Sequence, residues 1–138
     1  MTIDPERVRS KLDDISRSVS RLRLFQAMER TAFLADEDSQ DIARSRLLTA
    51  IEAALNICYH VTARSLRRVP EEYAQCFILL GESGLLPSDL ARRLAAMARF
   101  RNRLVHLYWE VDYGQVYDII ARDLGDLQAF TQAAASWL

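Results

Sequence analysis

Helix-breaking residues are scarce in this sequence: four glycines and three prolines are spread over 138 residues. Gly interrupts regular structure through backbone freedom, and Pro through its ring and its missing N–H. A chain nearly free of both can form long helices, provided its apolar residues recur at helical spacing. Val8, Leu12, Ile15, Val19 and Leu22 step by four, three, four and three, which makes one stripe. Asp4 and Pro5 supply a cap and a first-turn Pro, so a first helix is expected from residue 4 to about residue 30. The acidic segment 35–41 reads as a connection and as the first turn of a second helix. That helix is striped by Leu47, Ile51, Ala54, Cys58 and Val61 and ends near Arg67-Arg68, before Pro70. A shorter helix over roughly residues 71–82 stops at Gly84. Pro87-Ser88-Asp89 opens a fourth, striped by Leu90, Leu94, Met97, Arg101, Leu104 or Val105, and Tyr108. A fifth spans roughly residues 114–137, with Val116, Ile119, Ile120, Leu124, Leu127 and Phe130 inward. No stretch alternates with period two. The expected fold is all-α, an antiparallel bundle of four to five helices forming one domain over residues 1–138.

Half the residues are apolar, enough for a core without staples, and the formal net charge is −1. There is no global attraction to nucleic acid or to anionic membrane, so any such contact needs a local patch. Lys11 is the single lysine against seventeen arginines. That bias fits phosphate recognition, but a GC-rich coding sequence is the better account of it. Cys58 and Cys76 are the only cysteines, the N-terminus has no apolar leader core, and no apolar run is long enough to cross a bilayer. A soluble, cytoplasmic protein with reduced thiols and no membrane association is expected. No carboxylate cluster or Cys/His spacing suits a metal, and no cofactor motif is present.

Chemistry concentrates in one window. From Leu90 to Trp109 there is no acidic residue, while Arg92, Arg93, Arg99, Arg101, Arg103 and His106 all fall there. This is where a phosphate backbone would lie, although for Arg92 and Arg93 a solvated face is the better reading. Arg101 stands where the stripe calls for an apolar residue. A charge in that place needs a partner or a wet cleft; a core ion pair satisfies the same position. His106 titrates in the range useful for proton transfer. On a regular helix, positions 101 and 106 point about 140° apart. Either the helix distorts near His106, or two copies packed across a two-fold axis complete one cleft, which is the reason to expect a homodimer. Glu52, Asn56 and His60 recur every four residues and share a helix face. That face either lines the cleft and pairs with Arg101 or Arg103, or only shapes the bundle.

The run Arg101-Asn102-Arg103-Leu104-Val105-His106-Leu107-Tyr108-Trp109 resembles the motif of the HEPN superfamily, specifically its HepT-like toxin branch. That motif has an Arg followed by a polar residue, a His a few positions on, and a Tyr two residues past the His. Arg101, Asn102, His106 and Tyr108 match these elements, and the flanking stretches 46–61 and 108–120 are also similar. The resemblance implies a homodimeric endoribonuclease, the toxin of a type VII-like toxin–antitoxin pair. Its implied partner is a minimal nucleotidyltransferase antitoxin, MntA-like, which adds AMP to Tyr108. It also implies metal-independent RNA cleavage by 2′-hydroxyl attack, with His106 moving protons and Arg101 holding the phosphate. Asn102, Arg103 and Arg99 would assist phosphate or RNA binding. Two other functions fit the residues less completely. One is a non-catalytic, nucleotide- or substrate-binding companion of a nucleotidyltransferase. The other is a plain helical interaction domain with Arg101 in a core ion pair.

Overall fold

The computed structural model describes residues 3–106 and 110–138, with the His106 side chain outside the described set. These residues form seven α-helices, and no strand occurs among them. The helices are α1 (Pro5–Gln26), α2 (Arg30–Leu34), α3 (Glu37–Val61), α4 (Tyr73–Glu82), α5 (Ser88–His106), α6 (Tyr113–Arg122) and α7 (Leu124–Ala135). A π-helical turn, Thr62–Leu66, extends α3 and stops at Arg67, whose φ of 53° is left-handed.

Side-chain caps set three of the helix starts. The Asp4 carboxylate accepts from the backbone N–H groups of Glu6 and Arg7, with Pro5 in the first turn. Asp36 caps α3 through the N–H groups of Asp38 and Ser39, and Asp112 caps α6 through Gly114 and Gln115. The Ser39 hydroxyl, which also donates to Asp36, holds that carboxyl below its ordinary pKa.

Cross-links fix the directions. Near the start of α1, the Asp4 N–H and Arg7 Nε reach His60 and Asn56 near the end of α3, so α1 and α3 are antiparallel. Gly81 near the end of α4 meets Ala91 near the start of α5, while Tyr73 at the start of α4 meets Arg101 near the end of α5. Glu52 and Arg44 of α3 reach Arg101 and Leu104 of α5, which makes that pair antiparallel too. Helix α3 is the central element, with contacts to every other helix. Its expected stripe, Leu47, Ile51, Ala54, Cys58 and Val61, is fully buried. So are Ile15, Leu22, Phe33, Phe77, Leu94, Leu104, Ile120 and Phe130.

The structure corrects three expectations. The first helix ends at Gln26, not near residue 30. The chain turns there because Phe33 on α2 enters the core, 6.3 Å from the Phe25 ring and 5.5 Å from Tyr117. The Tyr117 hydroxyl donates to the Met28 carbonyl in the turn. The expected fifth helix is two, broken at Asp123, whose backbone opens to φ −112° and ψ 0°. The thiols are not free: Cys58 of α3 and Cys76 of α4 are joined as a disulfide, with Cα atoms 6.1 Å apart. Both cysteines lie on inward faces with no solvent exposure, which brings them together across the α3–α4 contact.

Among the described residues, no helix is long and apolar enough to cross a membrane. No group of three or more potential metal-ligating side chains is found among them.

Candidate functional site

Arg101 enters a cleft between α3, α4 and α5. Its side chain is only 13% exposed. Nη2 lies 3.6 Å from the Glu52 carboxylate, and Nη1 donates to the Asn102 side-chain oxygen at 3.2 Å. The guanidinium sits over the Tyr73 ring, 4.7 Å from its centroid, a cation–π arrangement. Nε is buried and has no hydrogen-bond partner among the described residues. The guanidinium is therefore oriented by a carboxylate and a ring while one donor stays uncommitted. That suits a group waiting for an oxyanion.

The cleft has a volume of about 520 Å³ and is walled by Glu52, Leu55, Asn56, Tyr59, His60 and Ala63 along α3 and its π-helical extension. Arg7 of α1, Arg64 of the π-turn, Tyr73 and Arg101 complete it. The face shared by Glu52, Asn56 and His60 thus lies along this cleft, and it is Arg101 that Glu52 meets, not Arg103. The three residues differ in what they hold. Glu52 is half-exposed beside Arg101. Asn56 accepts from Arg7 Nε at 3.3 Å. His60 is buried, and its Nε2 accepts the Asp4 backbone N–H at 2.9 Å. Burial, reinforced by the charges of Arg7 and Arg64, pushes the His60 pKa down. A neutral His60 is what the hydrogen bond requires, so this imidazole ties α1 to α3.

The other expected phosphate-binding residues divide between two places. Asn102 is exposed beside Arg101. Arg99 and Arg103 are exposed and line a second groove of about 530 Å³, between α5 and α6. There Arg103 donates to Gln115 at 3.2 Å, and the acids Asp118 and Asp123 lie among the arginines. The basic window therefore divides between two faces of α5. The backbone of α5 is helical through His106, so positions 101 and 106 keep the separation of about 140° that a regular helix imposes. The His106 side chain and Tyr108 lie outside the described residues.

Four residues of the region carry no sequence signal. Arg7, Tyr73 and Arg64 reach the cleft only through tertiary packing. Arg44 of α3 donates to the Leu104 carbonyl in the last turn of α5, where a cation favours the helix dipole and satisfies a terminal acceptor.

A family model described as ribonuclease HepT-like matches residues 15–134. The chain belongs to this family. HepT-like relatives include a tRNA nuclease HepT of Aphanizomenon flos-aquae, 27% identical over 136 residues, covering 99% of this chain and 92% of that one. An mRNA nuclease HepT of Shewanella oneidensis is 26% identical over 121 residues, covering 88% of this chain and 90% of that one. Among solved structures, the fold resembles the tri-AMPylated HEPN toxin of Shewanella oneidensis in complex with its MNT antitoxin. The TM-score is 0.85 at 24% identity, covering 94% of this chain and 97% of the other. The HEPN helical fold is thus shared by this HepT-like chain.

Proposed function

We propose that this chain is the toxin of a toxin–antitoxin pair and a metal-independent endoribonuclease. The observation that carries this is Arg101: the motif arginine of a HepT-like chain, largely buried in a cleft, held over the Tyr73 ring and braced by Glu52. Arg101 holds the scissile phosphate and stabilises the charge that grows on its oxygens. His106 removes the 2′-hydroxyl proton or protonates the leaving 5′-oxygen. Asn102 orients the phosphate or Arg101, to which it is hydrogen-bonded. Arg99 and Arg103, in the neighbouring groove, bind flanking backbone.

The active form is a homodimer. Because α5 stays helical to His106, a single copy directs positions 101 and 106 to different sides. Two copies related by a two-fold axis bring one Arg101 and one His106 to a shared cleft. The protein works in the cytoplasm against RNA. Its antitoxin is an MntA-like nucleotidyltransferase, by analogy with the AMPylated Shewanella toxin and its MNT partner. AMP on Tyr108, two residues past His106 in sequence, adds a bulky anion that blocks the cleft.

Purified protein is expected to cleave RNA in excess EDTA, and Arg101→Ala and His106→Ala are each expected to reduce cleavage at least about 1,000-fold, near the scale of losing an electrostatic or acid–base group. Undiminished cleavage in both variants contradicts the proposal. Co-expression with the partner should add AMP mass to the peptide carrying Tyr108; absence of that increment contradicts the regulatory part.

A further inference from the structure

The Arg101 cleft is larger than one phosphate requires. Its volume of about 520 Å³ falls in the range that accommodates a small organic ligand such as a nucleotide. Beyond Arg101 it carries two more arginines, Arg7 and Arg64, from α1 and from the π-turn. It also carries two tyrosines. Tyr59 and Tyr73 meet edge to face, 5.9 Å between centroids, and Tyr73 keeps 38% of its surface exposed. Among the described residues the one acid on its wall is Glu52, which already faces Arg101. An aromatic platform flanked by guanidinium groups is the arrangement that holds an unpaired nucleotide: the base packs on the ring and the backbone follows the cations.

Resting on the ribonuclease reading, we propose that this cleft is a subsite for the unpaired RNA nucleotide next to the scissile phosphate. Its base packs against Tyr73, and its outer phosphate is held by Arg7 and Arg64. Tyr73 then has two contacts, the Arg101 guanidinium and the base, so binding of the neighbouring nucleotide braces the arginine that holds the reacting phosphate. Stacking tolerates any base, so the subsite selects for single-strandedness more than for sequence.

The test uses a fully 2′-O-methylated RNA twelve-mer, which binds but lacks the nucleophile, and measures binding to the full-length protein by fluorescence anisotropy at fixed salt. Tyr73→Ala is expected to weaken single-strand binding about 10-fold or more, whereas Tyr73→Trp and Tyr73→Phe stay within about 3-fold of the parent protein. Arg7→Ala should weaken binding and lower the salt slope by about one. The same twelve-mer annealed to its complement should bind at least about 10-fold more weakly. A single-stranded oligonucleotide carrying 4-thiouridine should crosslink the unmutated protein on peptides containing Tyr59 or Tyr73, a readout independent of how the variants fold.

Equal binding by Tyr73→Ala and the parent overturns the proposal, as do equal single- and double-strand affinities or crosslinks confined to the Arg99–Arg103 groove. A Tyr73→Ala variant that binds normally but turns over slowly also overturns it, because Tyr73 would then only support Arg101. Binding to this RNA requires no cleavage. The subsite therefore fails in the binding and crosslinking measurements, and the ribonuclease reading fails in the cleavage measurements on Arg101 and His106.

Discussion

Arg101 carries its charge on a helix face otherwise made of Leu90, Leu94, Met97 and Leu104, all buried. Its nearest carboxylate, Glu52, is half in solvent, so the pair is a weak stabiliser. Replacing Arg101 by Met is expected to change unfolding free energy by less than about 1 kcal/mol while abolishing RNA cleavage. A loss of several kcal/mol in a denaturant titration would instead place Arg101 in the core ion-pair role. His60 makes the opposite kind of prediction. Burial first, then Arg7 and Arg64, depress its pKa in the folded state. The unfolded chain then binds this proton at a higher pH than the folded one, so stability falls as pH drops below about 6.5 towards the lower folded value. The difference between the parent and His60→Gln urea midpoints, followed from pH 7.5 to 5, should therefore narrow as pH falls; a constant difference would contradict the assignment. Arg101 was legible in sequence because a charge interrupted an apolar stripe. Tyr73 and Arg7 were not, since each is an ordinary helix residue that reaches the cleft only through packing between helices distant in sequence.

At the level of elements, periodicity located the helices but not their interruptions. Val116 and Ile120 on α6 and Leu124, Leu127 and Phe130 on α7 are all buried, so the apolar stripe runs unbroken across the bend at Asp123. A pattern that measures sidedness is blind to such a bend. The early end of α1 depends on Phe33 and Tyr117 meeting across the fold, which no local signal encodes. The disulfide likewise required knowing that the inward faces of α3 and α4 meet at Cys58 and Cys76. The close approach of α4 to α5 rests on Gly81, where a Cβ would stand 2.6 Å from that of Ala91. Gly81→Val should overpack this contact and lower stability by about 1–3 kcal/mol; an unchanged thermal midpoint would mean that the helices separate freely. Because those helices carry Tyr73 and Arg101, the variant should also lose activity at temperatures where it remains folded.

Across the whole molecule, α3 is the beam on which the cleft is built. It contributes Glu52, Asn56, Tyr59 and His60 to one wall, and its Arg44 holds the last turn of α5 through the Leu104 carbonyl. The all-helical architecture followed from the sequence because binary patterning and sparse Gly and Pro act on every segment alike. The division of the basic window into two grooves did not, since it depends on which helices cover each side of α5. A two-fold assembly predicts complementation. Arg101→Ala and His106→Ala proteins, each inactive alone, should regain RNA cleavage when mixed subunits form a heterodimer holding one intact Arg101–His106 pair. Mixtures as inactive as the separate variants would place both groups of a site in one subunit. The chemistry of the cut ends tests the central claim most directly. Mass spectrometry of RNA fragments made by the full-length protein in EDTA should find 2′,3′-cyclic phosphate and 5′-hydroxyl termini, the products of 2′-hydroxyl attack. Fragments bearing 3′-hydroxyl and 5′-phosphate termini, or no fragments at all, would contradict it.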